Sequence, residues 1–236
     1  MEMGQHTSQQ YNHELEDVRN LAMQMGGIVE KQLANALKSL IESNIDLAEK
    51  VAISDYKVNR LEVSIDEQCA QIIARRQPTA GDLRMLIAII KSVTDLERIG
   101  DEAEKIARFS AKTTTIGNKN LHVSLRHLGN YVKDMLRDSL DAMARMDAKK
   151  ALAITQSDGR IDNEFDSLSR DLLTRMMEDP RNIQDSLNVT WCARSLERIG
   201  DHCKNICEYV VYLVEGKDIR HVSLDKASAI AQAQGD

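Results

Sequence analysis

Apolar residues fall at Leu15, Val18, Ala22, Met25, Val29, Leu33, Ala36 and Leu40, in steps of three and four. Such steps keep one face of a 3.6-residue helix apolar and predict a long amphipathic helix from Leu15 to Leu40. Ser43, Asn44 and Asp46 then supply turn and capping chemistry. A second stripe, Ala48, Val51, Val58, Ile65, Cys69 and Ile72, predicts a second helix. It should end near Arg76, because Pro78 disfavours helical backbone at the residue before it. Thr79 or Asp82 can cap a third helix through Leu86, Ile89, Val93, Leu96, Ala103 and Ile106.

The best break in the pattern is Thr113 to Asn120, and after it the pattern repeats. Val29, Leu33, Leu37, Ala48, Asp55, Val58 and Ile65 correspond to Val132, Leu136, Leu140, Ala151, Asp158, Ile161 and Leu168 at a shift of 103. The shift falls to 100 at Leu-Glu-Arg-Ile-Gly-Asp, which occurs at Leu96 to Asp101 and again at Leu196 to Asp201, because the turn around Pro78 is longer than that around Pro180. The predicted fold is all-α, two pseudo-symmetric three-helix bundles with six long helices, the product of a duplication. Its expected parts are a flexible tail over residues 1–10, a first repeat over 11–112, a linker over 113–120, a second repeat over 121–216 and a C-terminal tail over 217–236.

Composition supports helices. With 2 Pro and 3% aromatic residues, the chain is poor in helix breakers and in the aromatics that strands prefer. The net charge of −6, with both signs interspersed, argues against wholesale nucleic-acid binding. No stretch approaches the roughly 18 to 20 apolar residues of a membrane span, and the N-terminal residues lack a signal-peptide pattern. A cytoplasmic protein is therefore expected, reaching a membrane only through partners. Cys69, Cys192, Cys203 and Cys207 are expected to be free buried thiols. Cys203 and Cys207 share a face beside His202, but the tighter Cys-x-x-Cys spacing and the second ligand pair of a zinc site are absent.

The candidate chemistry lies in carboxylates. Glu97 with Asp101, and Glu197 with Asp201, are spaced four apart, so each pair shares a helix face and repels itself. Roughly 100° to 140° round from Leu96, Glu97 and Asp101 border the apolar stripe, at the edge of a groove between helices. Asp55 and Asp158 interrupt the apolar rhythm at matched positions, followed four residues later by Asn59 and Asp162; Glu62 and Asp66 form a further pair. A carboxylate partly inside a bundle is costly unless a cation or donor meets it. Oxygen-rich clusters of this kind suit magnesium, manganese, calcium or iron. The alternative is pairing with Arg98, Arg198, Lys91 and Arg194, as on an ordinary charged helix face. Gly100 and Gly200 point to close helix approach, since a mid-helix glycine costs about 1 kcal/mol against alanine. No Walker loop, nucleophile elbow, His-Glu-x-x-His or Glu-x-x-His is present, so no enzyme is expected.

With its duplicated hexapeptide, Met-Gly-Gly-Ile-Val-Glu at Met25 to Glu30, Arg-Arg-Gln-Pro-Thr-Ala at Arg75 to Ala80 and Met-Met-Glu-Asp at Met176 to Asp179, the chain resembles the PhoU family from about Tyr11 to His221. The resemblance implies a cytoplasmic negative regulator of phosphate uptake and of the phosphate-starvation regulon. Its implied partners are the ATPase subunit of a phosphate ABC transporter and a membrane sensor histidine kinase, and a homodimer is expected. It also implies multinuclear metal clusters (iron, zinc, nickel, magnesium) on carboxylate pairs, matched here by Glu97/Asp101, Glu197/Asp201, Asp158/Asp162 and Glu62/Asp66. Many members place an Asn four residues after the hexapeptide; Asn205 fits and Lys105 does not, so the second repeat is expected to bind metal more firmly. Two other readings stay open: a metal-free helical scaffold or dimerisation module, and a metal-dependent hydrolase.

Overall fold

A computed structural model describes residues 9–112, 119–157 and 159–220. They form α1 (Gln9–Glu42), α2 (Ile45–Ser54), α3 (Tyr56–Arg76), α4 (Ala80–Lys112), α5 (Lys119–Arg145), α6 (Ala148–Ser157), α7 (Gly159–Glu178), a 3-10 turn (Pro180–Asn182) and α8 (Ile183–Glu215). Among the described residues there is no strand. Of the tail expected over 1–10, residues 9 and 10 already belong to α1, and residues 1–8, the linker core at 113–118, Asp158 and residues 221–236 lie outside the described residues.

Local chemistry sets the helix ends. Asn44 caps α2, its side-chain oxygen accepting the Leu47 N–H at 3.0 Å. Ser43 and Met146, equivalent in the repeat, both adopt a left-handed backbone, at φ 51° and 53°. Asp147, the counterpart of Asn44, likewise accepts the Lys150 N–H at 2.9 Å. The duplication is thus visible in turn geometry as well as in sequence. α3 stops at Arg76 as expected: Gln77 turns left-handed at φ 48° before Pro78. Thr79 precedes α4, and its carbonyl takes the Leu83 N–H at 2.9 Å. Asp82, the other expected cap, instead accepts a 3.0 Å hydrogen bond from the Tyr11 hydroxyl.

Among the described residues six long helical runs are present, and the second is interrupted at Asp55. At Asp55 the backbone stays right-handed (φ −59°, ψ −33°), and its carbonyl accepts from both Val58 and Asn59. The fifth run is described on either side of the equivalent position, as α6 up to Ser157 and α7 from Gly159.

Each repeat closes on its own stripe, with Leu15, Met25, Leu33, Ile65, Leu86, Leu96, Ile99 and Ile106 fully buried in the first. Leu125, Leu128, Leu136 and Ile161 are fully buried in the second. The bundles then lie side by side, α4 along α8 and α1 against α5. Beyond α8, Ile219 is 5% exposed, so the chain still contributes to the core after the helix ends. Between α4 and α8 the contact is partly polar, with Asp95, Ser92, Glu102, Ser195 and His202 all buried.

Candidate metal centre

In the first repeat the interruption of the second helical run delivers Asp55 into the bundle. Asp55 is buried, and its Oδ1 accepts from Gln32 Nε2 at 2.8 Å. Gly100 makes the room: a Cβ there would stand 3.2 Å from Asp55 Oδ1 and 3.4 Å from Gln32 Oε1. Oxygens of Asp55, Asp101 and Glu104 lie within 4.8 Å of one another. Glu97, Glu62 and Asp66, all half-buried, belong to the same two helices, α3 and α4.

Crowding shows in their acidities. Burial first, then Asp101, Glu62 and Asp55, raise the Glu97 carboxyl above its ordinary value, with Arg98 opposing. Asp101 is raised by burial and by Asp55, against a lowering influence from Lys105. Glu62 is raised by burial, Asp66 and Asp101, and Asp66 by burial. Two buried oxygens of this region, Gln32 Oε1 and Asp66 Oδ1, accept no hydrogen bond.

Arg98 acts on Glu97 and Glu62 without an ion pair among the described residues, and four other neighbouring cations have partners of their own. Arg108 grips Glu104 through Oε1, leaving the second oxygen available. Lys105 and Arg198 both reach Glu102, at 3.0 and 2.7 Å. Lys91 lies over the Tyr209 ring at 5.5 Å. No ion pair among the described residues engages Glu62, Glu97 or Asp101. Simple pairing with Arg98, Arg198, Lys91 and Arg194 therefore does not account for these carboxylates.

The second repeat is less complete. Glu197 is half-buried and raised by burial, Asp201 and Asp162, with Arg194 and Arg198 opposing. Asp162 and Asp201 are exposed, and Asp158 lies outside the described residues. Lys204 occupies the position equivalent to Glu104. Asn205, expected among the ligands, instead donates to Asp95 Oδ1 at 3.2 Å across the α4–α8 contact. The expectation of firmer binding in the second repeat rested on Asn205 and on repulsion by Lys105. The structure withdraws the first support, because Asn205 faces Asp95; Lys105 reaches Glu102 yet still acts on Asp101. Among the described residues the fuller oxygen set belongs to the first repeat.

The family model of the PhoU domain matches residues 22–110 and again 125–210, the two bundles. The chain belongs to the PhoU family. It is 52% identical to a phosphate-specific transport system accessory protein PhoU homolog of Pseudomonas putida, over 96% of this chain and 89% of that protein. The crystal structure of PhoU from Pseudomonas aeruginosa is similar at TM-score 0.85 and 50% identity, covering 88% of this chain and 100% of that one. The phosphate transport system regulatory protein PhoU from Streptococcus pneumoniae is similar at TM-score 0.81 and 30% identity, covering 88% and 98%.

In this PhoU-family chain, the sequence reading named Asp55 and Asp101 of the trio but not Glu104. Glu104 follows Asp101 by three residues and Glu97 by seven, so it lies on their side of α4. That spacing was the available signal, although the position is not repeated: the equivalent residue in the second repeat is Lys204. The cysteines are free and buried, as expected. Burial holds the Cys69, Cys192 and Cys207 thiols up at about 12, so they are protonated at neutral pH. His202, beside Cys203, points its Nδ1 at Asp95 Oδ1, 2.7 Å away.

Proposed function

We propose that this PhoU chain is a negative regulator of phosphate uptake and of the phosphate-starvation response. It acts as a metal-binding adaptor between the ATPase subunit of a phosphate transporter and a membrane sensor kinase. The regulatory part is supported by near full-length similarity to proteins named as accessory and regulatory components of phosphate transport. No described helix is long and apolar enough to cross a membrane, so contact with membrane partners runs through the surface of the bundles.

The observation that carries the metal part is the trio Asp55, Asp101 and Glu104, with Glu97 and Glu62 beside it. The residues fit a hard cation. Every donor is oxygen, among the described residues the trio and its two neighbours form an ion pair only through Glu104, and two buried oxygens still lack a donor. Oxygen-only sets favour magnesium, manganese or iron over zinc, which prefers nitrogen and sulfur. Asp55, Glu97, Asp101 and Glu104 would hold the ion in the first repeat, and Glu197, Asp201 and Asp162 in the second. The bound ion would neutralise the repelling carboxylates and stiffen α3 against α4, making the docking face depend on metal occupancy.

Deleting the gene tests the regulatory reading. Phosphate-scavenging genes should then be expressed in rich phosphate, and Asp55→Ala with Asp101→Ala should reproduce part of that effect. Continued repression in the deletion strain would leave a bare helical scaffold as the better account.

A further inference from the structure

Glu102 follows Asp101 on α4, yet it does not join the acidic face. It is 2% exposed and turned into the contact between the bundles. Its Oε1 receives Lys105 Nζ at 3.0 Å from its own repeat and Arg198 Nη1 at 2.7 Å from the other. Each of these cations belongs beside a different acidic site. Lys105 stands four residues after Asp101 and is a positive charge acting on it. Arg198 follows Glu197 and acts on that carboxylate. One carboxylate between the bundles thus ties down one cation from each site. The repeat equivalent of Glu102 is His202, which faces Asp95, so this double tether is made once.

Resting on the metal reading above, we propose that Glu102 is a positioning residue for cation binding: it holds Lys105 and Arg198 away from Asp101 and Glu197, and links the two sites. Both cationic side chains are about half exposed, at 45% and 50%, and their long stems are free to swing once the anchor is gone. Asp101 and Glu197 are then the carboxylates each cation already acts upon. An ammonium or guanidinium lodged there competes with a metal ion by charge and by occupying its place.

The test is calorimetric titration of manganese into the wild type and Glu102→Gln, with each site isolated by Asp101→Asn or Glu197→Gln. Glu102→Gln should weaken both sites about three- to tenfold. Adding Lys105→Ala should restore the first site alone, and adding Arg198→Ala the second alone, while circular dichroism shows unchanged helicity. Equal affinity in Glu102→Gln and wild type, or a loss that neither second substitution restores, would overturn the role of Glu102 and leave the metal reading standing. A wild type that takes up no manganese overturns the metal reading, and the role of Glu102 with it.

Discussion

Gly26 on α1 faces Leu140 on α5, so closely that a Cβ on Gly26 would stand 2.5 Å from a Leu140 methyl. The reciprocal pair is present: a Cβ on Gly129 would stand 2.6 Å from a methyl of Leu37. Gly129 and Leu140 are the repeat equivalents of Gly26 and Leu37, at the shift of 103. Each repeat therefore offers a leucine to the other's glycine. It is the self-complementary logic of a two-fold interface, built within one chain. Arg19, which donates to the Ala144 carbonyl, ties the same two helices.

Gly26→Ala should destabilise the protein by about 1 kcal/mol net, because overpacking costs about 1 to 3 kcal/mol and improved helix propensity returns about 1. At its neighbour Gly27 an added Cβ would meet nothing within 4 Å, so Gly27→Ala should stabilise by up to about 1 kcal/mol. Urea unfolding of both variants reads the contrast. A shift of the same sign in both would show that the α1–α5 crossing is not tightly fitted.

Asp95 gathers His202 and Asn205 from α8 at 2.7 and 3.2 Å, deep in the contact between bundles. Asp95→Ala strands both partners and should cost about 1 to 3 kcal/mol. Combined with His202→Ala, the loss should be less than the sum of the two single losses, since both remove one interaction. Strict additivity in that cycle would mean the pair contributes nothing beyond its parts.

The helical runs, their ends at Arg76 and Asn44, and the repeat were legible because each follows from local periodicity or turn chemistry. Asp55 was legible too, as a carboxylate where the stripe called for a hydrophobe. What escaped depends on how two bundles meet. Nothing in the sequence around Asn205 says that it will face Asp95, in the other repeat. Nor does the spacing of Lys105 and Arg198 reveal that Glu102 will collect them both. Glu104 is a different case: the two repeats have diverged there, to Glu104 and Lys204, so the duplicated pattern does not point to it.

Burial and mutual repulsion raise Glu97 and Asp101 above the usual 4.5 and 3.8. A carboxyl raised in the folded state disfavours folding once ionised, so that part of the stability is present below the ordinary value and lost as pH climbs through the raised one. In the presence of chelator, Glu97→Gln with Asp101→Asn should therefore be more stable than wild type at neutral pH. The gap should close as pH falls towards 4.5 and 3.8. Unfolding midpoints at several pH values measure it; a variant less stable than wild type at neutral pH would contradict the repulsive reading.

Gly100 and Gly200 are matched in sequence but crowded by different things. A Cβ on Gly100 meets Asp55 Oδ1 at 3.2 Å, whereas one on Gly200 meets Ile161 Cδ1 at 2.7 Å. Gly100→Ala should displace Asp55 and weaken manganese binding in the first repeat with little change in stability. Gly200→Ala should disturb packing, lowering the unfolding midpoint, with little effect on first-repeat metal binding. Paired calorimetric and unfolding data separate the two; a reversed pattern would remove Asp55 from the candidate centre.

Manganese titration of chelator-treated protein, comparing wild type with Asp55→Ala plus Asp101→Ala, tests metal binding at the first-repeat carboxylates most directly. Saturable binding by the wild type is expected, with loss of the first-repeat site in the variant at unchanged helicity, and stabilisation through that site by added metal in the wild type alone. Equal binding by the two proteins, or none by either, would contradict it.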